Sequence, residues 1–245
     1  MTSDLGLAGK SALVTGGAKR IGRAIALALA RAGADVTITF RTSGEDASCT
    51  TREIEALGRR AQSIECDVRS EPSVKKAVKA AVEFHQRLDI LVNNAAIFET
   101  AALDSMTVAQ WDAVFETNSR GPFLVAREAL DHLRRAHGRI INIGSLGGIQ
   151  AWARHAHYCA SKAALHMLTH AMAKAFAPEV SVNCVAPGWI ELDEPGSEQA
   201  LRLAGKTPMR RNGTAEEVAR AVLFFAAGPD FITGQILSVD GGLGL

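Results

Sequence analysis

The sequence predicts one doubly wound α/β domain: a parallel sheet of about seven strands with helices on both faces. Three observations predict it. Short apolar or β-branched runs alternate, along the whole chain, with longer stretches whose apolar residues recur at helical spacing. Most short runs are apolar throughout rather than alternating, as strands covered on both faces are. The first of them leads through a glycine turn into an amphipathic stretch, the order in which such sheets hold a nucleotide.

Each element follows from its residues. SALVT opens the sheet, and TGGAKRIG (15–22) turns the chain into IGRAIALALARAG, whose apolar positions fall on one helical face. DVTITF and AQSIEC are the next strands. VKKAVKAAVEFH is helical, DILVNN and RIINIG are apolar strands, and YCASKAALHMLTHAMAKAFA is a long helix. VSVNCVA, the helix EEVARAVLFFAA and a last strand in QILSVDGG complete the alternation. Domain 1–245 is therefore one unit. Its irregular stretch is Glu191 to Met209, polar and punctuated by glycine and proline after the sixth strand. It is either a substrate-covering segment (191–209) or a solvated loop.

Composition narrows the class. At 245 residues, 47% apolar and 22% charged, the chain is an ordinary soluble domain with room for a large core. A formal net charge of +1 gives no reason to expect capture of nucleic acid or of an anionic membrane. The start MTSDLGLAGK lacks a secretory pattern, and no apolar run approaches the roughly 20 residues that span a bilayer. Cys49, Cys66, Cys159 and Cys184 are far apart, which fits reduced thiols and a cytoplasmic location.

The first turn supplies an anion site. Gly16 accommodates a turn conformation closed to other residues, and Gly22 brings helix and strand close together. The helix from Ile21 points unpaired N–H groups and its positive end at the crevice. Lys19 and Arg20 add two cations there, matching phosphate oxygens. The second strand ends at Phe40, where NAD-preferring proteins place an acid for the ribose 2′-hydroxyl, and is followed by Arg41, Thr42 and Ser43. A cation and two hydroxyls suit a 2′-phosphate, so the expected cofactor is NADP(H).

Catalytic residues are clearest in RIINIGS and YCASK. Tyr158 and Lys162, spaced i and i+4, share a helix face, and an ammonium there favours a phenolate that otherwise forms near pH ~10. Ser145 ends the fifth strand, within reach of the same crevice. With LAGKSALVTGG, LVNNAA, ETNSRGPF, NCVAPGWI and TGQILSVDGG in the same order, the chain resembles the short-chain dehydrogenase/reductase family over nearly its whole length, and with it a Rossmann-type fold.

The resemblance implies roles. Tyr158 is the general acid/base, Ser145 polarises the carbonyl oxygen, and Lys162 lowers the tyrosine pKa and holds the nicotinamide ribose. Asn118, inside a long helix, binds a relay water. Asp67 and Val68 contact adenine, Asn94 and Ala95 form the cofactor wall, and Pro187, Gly188 and Ile190 the nicotinamide shelf. Three positions depart from the family pattern: Arg20 replaces a glycine of the first turn, Ala96 turns NNAG into NNAA, and Leu192 stands where many relatives carry threonine.

Carbonyl reduction by NADPH is the expected activity, on 3-oxoacyl thioesters, small ketones or quinones. Two alternatives stand beside it. One is pteridine reduction, suggested by Arg20 and by Phe98, the aromatic that stacks on the pterin in that branch. The other is a non-catalytic NADP(H) sensor. Phe98, Trp152, His155 and Trp189 are candidate substrate contacts. His155 with His157, and His166 with His170, lack a third ligand, so no metal is expected. Relatives associate through the long helix and the last strand, which implies a homotetramer or, failing that, a homodimer.

Overall fold

The computed structural model describes residues 6–192 and 198–245. Its sheet has seven parallel strands: β1 (Ser11–Val14), β2 (Asp35–Phe40), β3 (Ala61–Glu65), β4 (Ile90–Asn93), β5 (Arg139–Ile143), β6 (Ser181–Pro187) and β7 (Ile236–Val239). They lie in the order β3-β2-β1-β4-β5-β6-β7. Order reverses between β1 and β4, so a crevice opens beyond their carboxyl ends. Register sets its walls: Val14 pairs with Ile38 on one side and Val92 on the other, and Asn93 pairs with Asn142.

The helices are α1 (Arg20–Arg31), α2 (Gly44–Ala56), α3 (Glu71–His85), α4 (Val108–Phe115), α5 (Gly121–Ala136), α6 (Ala156–Phe176), α7 (Glu198–Lys206) and α8 (Ala215–Ala227). Two apolar cores flank the sheet. One packs Ile25, Leu29, Val222 and Phe225 of α1 and α8 against Val14, Val36, Ile38 and Val185. The other packs Val74, Val78, Leu124, Leu133 and Met172 of α3, α5 and α6 against Leu13, Leu91, Ile140 and Val182. Side chains of β1 thus alternate between the faces, Val14 to one and Leu13 to the other, which is why its residues are apolar throughout.

One expectation is refined and one is corrected. Asn118 lies inside a long helix, but not a regular one: α4 and α5 run into each other through a π-turn at Glu116–Arg120. Such one-turn bulges keep helix direction while displacing a side chain, and they concentrate at functional sites. The stretch 191–209, expected as an irregular covering segment or solvated loop, contains the helix α7; residues 193–197 of it lie outside the described residues. Among the described residues, no helix is long and apolar enough to cross a membrane.

Candidate active site

The turn after β1 is built around a threonine and an asparagine. Thr15 Oγ1 accepts from the N–H groups of Asn94 (2.9 Å) and Ala95 (3.0 Å). Asn94 Nδ2 donates back to the carbonyls of Thr15 and Gly16, both at 2.9 Å. β1 and β4 are thereby clamped just beyond the sheet. Gly16 takes φ +64, and a Cβ there would stand 3.0 Å from the Ala95 backbone. Thr15 was absent from the expected site residues; nothing in hydrophobic periodicity marks it.

Arg20 begins α1 with φ +53, the left-handed conformation. Glycine adopts it without steric penalty and arginine does not, so this departure from the family pattern places a side chain on strained backbone at the mouth of the turn. Among the described residues no side chain caps the N-terminus of α1, and no acid stands in its first turn. Its first N–H groups and dipole end are therefore left to favour an anion. Lys19 lies 3.7 Å from Asp46, both largely exposed.

These residues line a cleft of about 800 Å³. Gly16, Lys19, Arg20, Ile21 and Gly22 form its first edge, and Arg41, Thr42 and Ser43 continue it past β2. Asp67 and Val68 close the far end. Asn94 and Ala95 form the floor, and Pro187, Gly188 and Ile190 the opposite shelf. Asp67 is hydrogen-bonded by the Arg69 guanidinium (2.9 and 2.6 Å), which holds its carboxyl down at about 2; Arg41 adds to the same effect. The donor set fits a dinucleotide phosphate: an uncapped helix end, two cations beside it, and Arg41-Thr42-Ser43 with no carboxylate ending β2.

Deeper in the cleft stand Ser145, Tyr158 and Lys162. Ser145 sits between β5 and a 3₁₀ turn (Leu146–Gly148), 4% exposed, with its Oγ accepting from Gly147 N–H at 3.0 Å. Tyr158, in the first turn of α6, is half-buried and lines the same cleft as Ser145. Burial pushes its phenol above the ordinary value, and the nearby Ser145 hydroxyl pulls the other way. Lys162 is 3% exposed; its Nζ donates to the Ile143 carbonyl at 2.7 Å and lies 5.8 Å from the Tyr158 ring centroid. Burial brings its ammonium down to about 8. Burial raises the tyrosine against the lowering expected from the lysine, whose ammonium is turned onto the Ile143 carbonyl.

Asn118 is not on the cleft wall. Its Oδ1 accepts from Ile97 N–H (2.9 Å), and its Nδ2 donates to the Ile97 carbonyl (3.0 Å) and to Ser161 Oγ (3.1 Å). The π-turn aims this amide so that it ties the segment after β4 to α6. Phe98 and Trp152 line the cleft beside Tyr158. Phe98 meets the Tyr158 ring edge-on at 4.8 Å and stacks on His155 at 4.4 Å, while Trp152 lies parallel to Tyr158 at 6.2 Å. His155 is fixed to the Glu99 carbonyl through Nδ1 at 3.0 Å. Trp189 and Leu192 face them from the segment after β6. Among the described residues, no cluster of three metal-ligating side chains forms.

A family model described as enoyl-(acyl carrier protein) reductase matches residues 16–244. The chain is 38% identical to the 3-oxoacyl-[acyl-carrier-protein] reductase FabG of Aquifex aeolicus (strain VF5), covering 98% of this chain and 99% of that one. Among solved structures it resembles a short-chain dehydrogenase from Burkholderia cenocepacia J2315 in complex with NADP, with 40% identity, a TM-score of 0.93 and coverage of 98% and 99%. A dehydrogenase/reductase from Sinorhizobium meliloti 1021 is similar at 39% identity and TM-score 0.93, covering 98% and 97%. A serine, a tyrosine and a lysine converging beside a glycine turn, on a sheet of this order and with these relatives, leave one conclusion: the chain belongs to the short-chain dehydrogenase/reductase family.

Proposed function

We propose that the protein is an NADPH-dependent carbonyl reductase acting on a ketone or 3-oxoacyl thioester, with Tyr158 as the proton donor. The observation that carries this reading is the convergence of Ser145, Tyr158 and Lys162 in one cleft, with Lys162 buried beside the tyrosine ring. NADPH bound in the cleft supplies a hydride. The turn of Gly16 to Gly22 and the end of α1 hold its phosphates, and Arg41, Thr42 and Ser43 select the 2′-phosphate.

Tyr158 keeps its proton at neutral pH because burial raises its pKa, which suits a donor in the reducing direction. Ser145 Oγ already accepts from Gly147, and its own hydrogen, which faces the phenol, turns to a substrate oxygen bound beside Tyr158 and orients it. Lys162, held by the Ile143 carbonyl, places positive charge beneath the phenolate left after proton transfer. Phe98, Trp152 and Trp189 exclude water from the substrate end. The segment 191–209 covers that end in this reading, supported by Leu192 and Ala200 on the cleft wall. The relative from Aquifex aeolicus is named a 3-oxoacyl-[acyl-carrier-protein] reductase, which supports the thioester side of the substrate range.

The test is a steady-state panel of acetoacetyl thioesters, simple diketones, quinones and dihydropteridines, each with NADPH and NADH. Carbonyl turnover with NADPH, at least about tenfold better in kcat/KM than with NADH, is expected from a lost 2′-phosphate contact. Turnover of dihydropteridines alone removes the carbonyl assignment, and KM values indifferent to Leu192→Ala remove the covering segment. We also infer a homotetramer, or a homodimer as its half. Trp111, Phe123 and Met167 are exposed on α4, α5 and α6, apolar surface of the kind a second copy covers. Sedimentation that finds only monomer at micromolar concentration excludes both.

A further inference from the structure

Behind Ser145 stands a histidine that the proton relay does not use. His166, on α6 one turn beyond Lys162, is 6% exposed. The chain from Gly144 to Gly148 wraps its ring. A Cβ on Gly144 would fall 2.3 Å from His166 Nε2, and one on Gly148 would fall 2.6 Å from Cε1. Neither glycine has a positive φ. They are there for room rather than for conformation, and the room is the shape of one imidazole. Nε2 lies 3.4 Å from the backbone nitrogen of Ser145, a long hydrogen bond.

We propose that His166 is a positioning residue for Ser145: its neutral ring, with hydrogen on Nδ1 and a lone pair on Nε2, holds the Ser145 N–H and fixes the turn that presents the hydroxyl. This rests on the carbonyl-reductase reading above. A backbone N–H only donates, so the nitrogen facing it must be the unprotonated one. Burial is the main cause that holds the ring neutral, bringing it down to about 4; the Lys162 and His170 charges add to it. Cys184 Sγ packs on the same wall from β6, and burial keeps that thiol protonated, up at about 12.

The geometry runs from His166 to the Ser145 N–H, and through the short turn in which Gly147 N–H binds Ser145 Oγ, to the cleft that Ser145 shares with Tyr158. Without an anchor, a serine on a three-residue turn can drift, and a displacement of about 1 Å at a reacting group costs on the order of 100-fold in rate.

The test compares His166→Leu, which removes the acceptor, with His166→Gln, whose side-chain oxygen reaches the position of Nε2. In the full protein with NADPH, His166→Leu is expected to lower kcat about 10- to 100-fold while KM and NADPH affinity stay within about twofold, and His166→Gln to restore most of kcat. Nitrogen-15 spectra of the wild-type ring at neutral and mildly alkaline pH should show a protonated Nδ1 and a bare Nε2. A charged ring, hydrogen on Nε2, wild-type kcat in His166→Leu, or equal loss of kcat, KM and melting temperature in both variants overturns the proposal. If the wild type reduces no carbonyl, the reductase reading falls and the positioning role with it, while the spectra still decide the bond to Ser145.

Discussion

Tyr158→Phe is expected to lower kcat for carbonyl reduction by about 10²- to 10⁴-fold, the range set by loss of one general acid. That corresponds to about 3 to 5 kcal/mol of transition-state stabilisation. The substitution removes one oxygen and leaves the ring. Its edge contact with Phe98 and its parallel neighbour Trp152 therefore remain. NADPH affinity should change by less than about twofold, because the turn after β1 and the cations beside α1 are untouched. Lys162 stays on the Ile143 carbonyl, so no buried charge is orphaned and the fold should hold. Stopped-flow reduction gives the rate and fluorescence titration the cofactor affinity. Turnover within about tenfold of wild type means that the proton comes from elsewhere. A parallel loss of NADPH binding means that the phenol was holding the cofactor rather than supplying the proton.

The same residues show how far sequence reaches and where it stops. The order of strands and helices was legible because each strand's two-sided burial writes an apolar run into it, as in SALV and RIINI. The two ends of the cleft were legible because glycine turns and YCASK are local in sequence. Partnerships between distant segments were not. Thr15 and Asn94 are 79 residues apart, and neither betrays that the two share hydrogen bonds. The buried line from Asn93 through Asn142 to Thr169 joins three elements whose residues look like ordinary strand-end amides and a helix threonine. Gly144 and Gly148 read as turn residues until His166 is seen between them. The orientation of Lys162 was hidden for the same reason: spacing fixes a shared helix face, but the ammonium's direction depends on a carbonyl of β5.

Gly22→Ala is expected to abolish tight NADPH binding, because here the missing side chain is occupied by backbone. A Cβ at residue 22 would stand 2.2 Å from the Gly16 carbonyl oxygen and 2.6 Å from Asn94 Nδ2. These two atoms are already bonded to each other at 2.9 Å, so the methyl group must break the clamp that joins β1 to β4 or push α1 away from the turn. Either movement takes the first N–H groups of α1 out of line with a bound phosphate. Overpacking costs of about 1–3 kcal/mol are usual where neighbours can shift, and more is expected against backbone. Melting should therefore drop by several degrees, and NADPH affinity should fall by more than the stability loss alone explains. Gly205 gives the control. It lies in α7 with nothing within 4 Å of a built Cβ and without a positive φ, so Gly205→Ala should be neutral or slightly stabilising. Calorimetry with and without NADPH separates the two substitutions. If Gly22→Ala binds NADPH as the wild type does, the turn is not where the phosphates sit, and the anion site assigned to α1 fails with it.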